Sequence, residues 1–581
     1  MTVRDTTSAL TLNDRVTPSG DVYLVRESDA RAAEDLAHAC GLGSAAARVL
    51  LQRGLKTAED ARAFLDPKLG MLSDPEPMAD RDLAADRIAR AVRAGERIAV
   101  FGDYDVDGTT SAALLSDVVR RLGGIVHTFV ANRFEGGYGF SDPALERCLR
   151  VEPDLIITCD VGSSDHARIE RAMTRGIDVI VVDHHLVPDE PLPALAFLNP
   201  HRPDCGFAYK GMCSAGLVFS LSAAIRKALG ADLDLRPWLD LVALGTVADV
   251  APLDGDNRVL VRAGLRLLTS RKARPGIAAL RGVAKLRAGG ALGAMEVAFR
   301  LAPRLNAPGR LGDPAIVVEL LLEQDARKAA ALAAQIEELN ESRKAIERAT
   351  TESAAAQVLE RWGGRPEHGV VVAGTGWHRG VVGISAARLV DRFDVPAIVV
   401  ALDGDRGHGS ARTPDGIHLY DAIAQCSQHL ERFGGHAAAA GVTVDPAHLE
   451  AFGEAFAQVT PRPDARTTPP TVDVELDEDA ALPSVEDLMR LEPLGEANAQ
   501  PVFALKHAIV EDASVVSDGQ HLKLRLRHGR RIVTAFGRDM ANRVDDLGAR
   551  VTAIGYLRPD LWRGGDNLEL SLHTLYDDDT N

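Results

Sequence analysis

Three aspartates, Asp103, Asp105 and Asp107, alternate within Gly102-Asp103-Tyr104-Asp105-Val106-Asp107-Gly108. In extended backbone that spacing sends all three carboxylates to one side. Three unpaired carboxylates on one side repel each other, and a cation is the natural relief. Read alone, the stretch is equally an acidic loop solvated by water. Asp160, the run Asp183-His184-His185, and Asp249 are the other candidates. Singly, Asp160 reads as a turn or helix-capping residue and Asp249 as a break at a helix end. Taken together they are carboxylates and imidazoles without a thiolate, a set that suits Mn2+ or Mg2+ better than structural zinc. Two such ions bridged by one carboxylate make a hydroxide nucleophile and stabilise a phosphoryl transition state. The chemistry indicated is metal-assisted phosphoester hydrolysis.

Such a set works only if several elements deliver it to one edge. Val179 to Val182 are four β-branched apolar residues that stop abruptly at Asp183. That is the pattern of a strand buried on both faces of a parallel sheet. Ile98 to Phe101 stops before Gly102-Asp103, and Leu155 to Cys159 stops at Asp160; Ile125 to Val130 is a fourth strand. Helices predicted at Leu83 to Ala94 and Thr109 to Leu122 make this a βαβ succession. Parallel sheets bind ligands outside the carboxyl ends of their strands, where these acids fall. Gly108 and Thr109-Thr110-Ser111 open a helix whose N–H groups could hold phosphate.

The chain has 581 residues, 46% hydrophobic and 26% charged, which predicts a soluble α/β protein of several domains. The net charge of -17 requires any DNA-binding face to be locally basic or metal-bearing, and 4% aromatics argues against extended base stacking. Six cysteines without a CxxC pair indicate a reducing, cytoplasmic setting. Residues 1–15 are polar, unlike a secretory signal, and no apolar run reaches membrane-spanning length.

The expected division is a helical N-terminal region over 1–77, with residues 1 to about 20 disordered. A parallel-sheet catalytic domain over 78–314 follows. A helical connector over 315–365 is rich in Ala, Glu, Lys, Arg and Leu, with neither Gly nor Pro from Ala315 to Arg361. A smaller α/β domain covers 366–460, and a β-rich domain covers 471–581 after a Pro-rich linker. In the last domain, His521-Leu522-Lys523-Leu524-Arg525-Leu526-Arg527 puts Lys523, Arg525 and Arg527 on one strand face and the leucines on the other. A basic strand in a small barrel suits a grip on single-stranded backbone; a half-exposed strand with solvated cations is the plainer alternative.

Four stretches, Gly102 to Gly108, Thr158-Cys159-Asp160-Val161-Gly162, Asp183-His184-His185, and Gly245-Thr246-Val247-Ala248-Asp249, resemble the motifs of DHH phosphoesterases. Within that family the closer resemblance is to bacterial single-strand-specific 5′→3′ DNA exonucleases. Pro303 to Arg310, Trp377 to Ile384, Gly409 to Arg412 and Phe433 to His436 support it outside the metal motifs.

The resemblance implies a DHH catalytic domain, a DHHA1 domain and a C-terminal OB-like barrel. It implies Asp105, Asp107, Asp160, His184 and Asp249 as ligands of Mn2+ or Mg2+, with Asp103 a further candidate. Asp160 would bridge two ions, His185 would meet the scissile phosphate, and Asp183 would orient His184. Phe101 stands where relatives with a full first site carry histidine, so one ion would be held weakly; Val161 replaces the usual asparagine. Arg304, Asn306 and Arg310 would contact the nucleotide. Ser410, Arg412, Gly434, Gly435 and His436 would bind a substrate phosphate at the 5′ end. The implied partners are single-stranded DNA, a helicase and a single-strand-binding protein. A phosphodiesterase of oligoribonucleotides or cyclic dinucleotides and a non-catalytic replication scaffold are the competing functions.

Overall fold

The computed structural model describes residues 12–18, 20–136, 139–287, 290, 292–460, 469–517, 519–560 and 563–579. The first 11 residues and most of the 461–470 linker lie outside that set, as do the expectations placed on them. The chain forms two compact units. The first comprises Met1–Ala302, Val318–Ala330 and Thr468–Asn581; the second comprises Pro303–Val317 and Ala331–Thr467.

The first unit begins with a hairpin, β1 (Leu12–Val16) and β2 (Val22–Arg26), followed by helices α1 (Ala30–Cys40), α2 (Ser44–Gln52) and α3 (Ala58–Leu65). The hairpin corrects two expectations: the N-terminal region is not helical alone, and Leu12–Val16, within the stretch expected to be disordered, is a paired strand. β2 is completed by Thr471–Val472, which pairs parallel to it, and Tyr23 stacks on Tyr576 at 6.1 Å between centroids. A strand whose partner lies about 450 residues away leaves little local signature. The helices α1 to α3 share one hydrophobic core with the C-terminal barrel, through Leu36, Leu50 and Leu65 against Leu505, Leu524 and Leu570.

The parallel sheet then follows. Its elements are α4 (Arg81–Ala94), β3 (Arg97–Gly102), α5 (Val106–Arg121), β4 (Ile125–Val130), α6 (Asp142–Leu149), β5 (Leu155–Cys159), α7 (His166–Met173), β6 (Asp178–Val182), β7 (Ala196–Leu198), α8 (Ser214–Leu229), α9 (Leu239–Ala248) and α10 (Gly255–Thr269). The five strands are parallel in the order β4-β3-β5-β6-β7. Ala99, Phe101, Ile156, Val179 and Val181 face α6 and α7 in one core. The alternate residues Ile98, Val100, Ile157, Ile180 and Val182 are buried as well, under α4, α5 and α8. Burial on both faces is why these strands read as continuous apolar runs. The chain leaves β3 toward β4 and returns to β5 on the other side, so a crevice opens beyond the ends of β3 and β5.

The C-terminal barrel belongs to the same unit. Strands Val502–Val516, His521–His528, Arg531–Gly537, Leu568–Asp577 and Arg550–Pro559 pair in that order, and the last pairs back onto the first. Closure into five strands removes the exposed sheet edge. In the second unit, strands Arg432–Gly435, Ala439–Val444, Arg406–Arg412, Ala397–Asp403 and Val370–Thr375 form one sheet in that order. The expected connector is two helices, Ala315–Leu322 and Ala326–Trp362, the second 37 residues long. Among the described residues no helix is long and apolar enough to cross a membrane.

Candidate metal centre

The strand registers set the acids side by side. Gly102 pairs with Cys159, and Cys159 with Val182, so Asp103, Asp160 and Asp183 leave adjacent strands at one level. The ladder continues one residue further: Asp103 N donates to Cys159 O, Asp160 N to Val182 O, and Asp183 N to Leu198 O. Gly102 and Gly108 let the first turn of α5 press against the end of β3. A Cβ on Gly102 would collide with the Gly108 carbonyl, and one on Gly108 with the Asp103 backbone.

The three alternating aspartates do not share one extended loop. Asp105 is the N-cap of α5, in extended backbone, and accepts from Gly108 N at 3.0 Å. Asp107 already lies in the first helical turn. Its carboxylate accepts Ser214 N at 2.8 Å and Ala215 N at 2.9 Å, so it caps α8 from another element. The α5 amide expected to hold phosphate is therefore occupied by Asp105, and the Thr110 hydroxyl bonds back to Val106 O.

Asp160 follows β5 at φ +64°, a left-handed conformation for a non-glycine residue, and its side chain is buried. Such positions cluster at functional sites. His184 Nε2 faces three carboxylates: Asp160 Oδ1 at 3.2 Å, Asp249 Oδ2 at 3.7 Å and Asp107 Oδ2 at 3.8 Å. Asp183 makes a different arrangement from the one expected. Its Oδ1 bonds the His185 ring at Nδ1, 2.7 Å away, and accepts the backbone N–H of His184 and of His185. The ring it orients is that of His185; His184 is held through its backbone.

Ligand atoms within 4.8 Å of one another form three groups: Asp103, Asp105 and Asp160; Asp107, His184 and Asp249; Asp160, His184 and His185. Asp160 belongs to two of them. Phe101 supplies no donor, since its ring is buried in the core edge-on to Phe140 at 5.1 Å. Asp103 and Asp105 are the acids on that side.

The electrostatics show an unrelieved excess of negative charge. Burial, then Asp105, holds the Asp103 carboxyl well above the usual carboxylate range. Burial followed by the charges of Asp105, Asp107 and Asp103 does the same to Asp160. Burial also raises Asp107, although His184 partly offsets it. Burial, Asp107 and Asp105 push Asp249 up to about 8. Burial works against a charged His185 ring, but the bond and charge of Asp183 prevail and lift it to about 9. Burial likewise works against ionised Asp183, yet His185 holds it below the usual range. Asp103 Oδ1 is buried and has no hydrogen-bond partner. One orphaned buried carboxylate oxygen, and neighbouring acids whose ionisation burial and mutual charge oppose, fit a divalent cation bound by oxygen and imidazole.

Residues that sequence reasoning passed over complete the frame. Ser214 Oγ reaches Asp160 Oδ1 at 3.3 Å, and Ser163 N donates to Asp183 Oδ2 at 3.0 Å. Asn199 Nδ2 donates to His185 O at 2.9 Å and fixes the turn. The available signals were an α8 N-terminus without a capping side chain of its own and an Asn-Pro pair directly after a strand.

Three family models match the chain: the DHH family N-terminal domain over 97–246, the DHHA1 domain over 367–460, and the RecJ OB domain over 472–574. The single-stranded-DNA-specific exonuclease RecJ of Dickeya dadantii (strain 3937) is 38% identical over 500 residues, covering 82% of this chain and 85% of that protein. The chain belongs to the RecJ family of single-stranded-DNA-specific exonucleases. Crystal structures of RecJ from Thermus thermophilus share its fold. The complex with Mn2+ has a TM-score of 0.76 and 32% identity, covering 95% of this chain and 79% of that one. The complex with Mg2+ has a TM-score of 0.72 and 30% identity, covering 95% and 78%.

The other residues expected to act in this RecJ-family chain lie in the second unit and the barrel. Pro303 to Arg310 is not a surface loop but part of two short helices, Ala302–Asn306 and Pro308–Leu311. Arg304 pairs with Glu337 at 2.6 Å and Arg310 donates to Gly380 O at 3.2 Å, so both have protein partners; Asn306 lies between them. Ser410 and Gly434 both pair across Gly441, which sets them on adjacent rows of one sheet. Arg412 Nη1 donates to Ser410 Oγ at 3.2 Å, and both approach Gly383 at the start of helix Val382–Phe393. Gly435 is left-handed at φ +146°, and His436 N closes the turn on Ala439 O. In the barrel, Lys523 and Arg525 are exposed, Arg527 is half-buried, and the intervening leucines are buried. Glu511 pairs with Arg527 at 3.2 Å and with Arg525 at 3.6 Å.

Proposed function

We propose that this chain is a metal-dependent exonuclease that removes 5′-mononucleotides from single-stranded DNA in the 5′→3′ direction, in DNA recombination and repair. One observation carries the reading: buried acids crowd around the orphaned Asp103 Oδ1 and the shared Asp160 at the carboxyl edge of a parallel sheet. In this reading Asp103, Asp105 and Asp160 would hold one divalent ion, and Asp107, Asp160, His184 and Asp249 would hold another. Mn2+ and Mg2+, present in the Thermus RecJ complexes, suit that donor set. When bound, such ions supply an activated water and charge for the phosphoryl group.

The protein's own groups then divide the work. Asp183 holds the His185 ring through Nδ1 and so orients it toward a non-bridging phosphate oxygen. Ser214 and the α8 amides fix the Asp160 and Asp107 carboxylates. Ser410, Arg412, Gly434, Gly435 and His436 receive a substrate phosphate on the second unit. Lys523, Arg525 and Arg527 grip the backbone further along. Arg304 and Arg310 act by holding their segment through Glu337 and Gly380, with Asn306 as the nucleotide contact between them. An enzyme of this kind needs unwound strands, so a helicase that supplies them and a protein that coats them are the natural partners. Six buried free thiols suit a reducing cytoplasm.

The test is digestion of 5′- and 3′-labelled single strands by the full chain with Mn2+. The 5′ label should leave at once as a mononucleotide, and the 3′ label only at the end. Immediate release from the 3′-labelled strand overturns the polarity, and no release from either favours a non-catalytic scaffold.

A further inference from the structure

Two apolar side chains stand in the open directly beside the centre. Leu186 follows His185 and is 73% exposed, and Val250 follows Asp249 and is 68% exposed. Single exposed apolar residues are ordinary and need no explanation. These two are not independent. His184 Nε2 and Asp249 Oδ2 are 3.7 Å apart, so the two segments converge on one point. Leu186 is two residues beyond His184 and Val250 one beyond Asp249, so both exposed side chains branch from the segments that carry the candidate ligands. Val250 is also held at φ +58°. A β-branched residue is a true outlier in that region, and glycine or asparagine would fit with less strain. Strain of this kind persists where surrounding structure imposes it for a purpose.

We infer that Leu186 and Val250 form an apolar clamp on the base of the end nucleotide, positioning its phosphate at the centre. The inference rests on the exonuclease reading and adds a contact to it. Phosphate and sugar offer no surface that an isobutyl and an isopropyl group would prefer to water; the faces of a nucleobase do. A base in a single strand is free to be clamped this way, whereas a base in duplex is already stacked and paired. The clamp therefore contributes to selection for single strands as well as to positioning. The low aromatic content of the chain makes aliphatic walls the available means.

The test uses the full-length chain and two single strands that differ only at the end nucleotide, one carrying thymine and the other abasic. First-turnover release is measured with Mn2+, and binding is measured by anisotropy in EDTA. The wild type should release and bind the thymine end better by about tenfold, the scale of a filled apolar contact. Leu186→Ser and Val250→Asn should each narrow that ratio to about twofold, while Leu186→Met keeps it. Asparagine tolerates the left-handed backbone, so Val250→Asn removes the contact without adding strain. A wild-type ratio near one, or variants that slow both substrates equally and keep the wild-type ratio, overturns the clamp. A wild type that releases nothing from either strand defeats the exonuclease reading, and the EDTA binding ratio still decides whether the base is held.

Discussion

The first unit buries two sets of charges, and they are handled in opposite ways. At the metal centre Asp103, Asp107 and Asp160 are each no more than 2% exposed, and an oxygen of Asp103 has no partner. Where α10 meets the segment before the barrel, Arg258 is 4% exposed and fully engaged. Its guanidinium donates to the carbonyls of Phe64, Leu491, Glu492 and Pro493 and lies 3.4 Å from the centre of the Phe64 ring. Arg262 adds bonds to the Met489 and Glu492 carbonyls. The buried Glu492 carboxylate accepts Ala294 N and Leu494 N. Burial costs both sets the same kind of desolvation. The junction offsets most of that cost with hydrogen bonds from the fold itself, although burial still raises Glu492 and Arg262 Nε has no partner, and these bonds tie the N-terminal helices, the parallel-sheet domain and the barrel segment together. The centre satisfies Asp107 through the α8 amides but leaves Asp103 Oδ1 without a partner and the crowded carboxylates without a counter-charge to match them, which is what a site for an external cation requires.

The contrast can be broken by exchanging the consequences of mutation. Asp160→Asn, which keeps the shape and tolerates the positive φ, should lower nuclease activity at least about a thousandfold. The melting temperature of the metal-free protein should hold or rise, since one of several repelling acids is gone. A fall in that temperature would make Asp160 a structural acid. Arg258→Met should do the reverse, destabilising the protein by about 4 kcal/mol in denaturant unfolding while activity per folded molecule stays within a few-fold.

A smaller effect is expected at Glu492, which burial raises to about 7. Below the ordinary glutamate value both states carry the proton. Between that value and about 7 only the folded state does, so stability is lost as pH rises through this window. The loss should be on the order of 3 kcal/mol, and Glu492→Gln should flatten it. Unfolding measured at pH 5 and pH 8 in both proteins checks the difference.

How much of this was legible in the sequence follows from how local each signal is. Val179 to Val182 ending at Asp183 announced a buried strand and its functional end, because burial on both faces is written in consecutive residues. The alternation of Lys523, Arg525 and Arg527 with leucines fixed one strand of the barrel for the same reason. What escaped depends on distant partners. The hairpin Leu12–Val16 and Val22–Arg26 is completed by Thr471–Val472. Asp107 caps a helix that begins at Ser214, and Asp183 selects the His185 ring rather than that of His184. Arg304 and Arg310 carried the composition of phosphate ligands, but Glu337 and the Gly380 carbonyl had to be in place before their engagement could be seen.

The central claim is that the crowded acids await a divalent cation. It is tested most directly by calorimetric titration of the EDTA-stripped full chain with Mn2+ near neutral pH, in two buffers of different ionisation enthalpy. Acids such as Asp249, raised to about 8, keep protons that a cation must displace. The account predicts uptake of about two ions per chain, net proton release, and affinity that climbs as pH approaches 8. Absence of Mn2+ uptake, or uptake undiminished in Asp160→Asn, would contradict it.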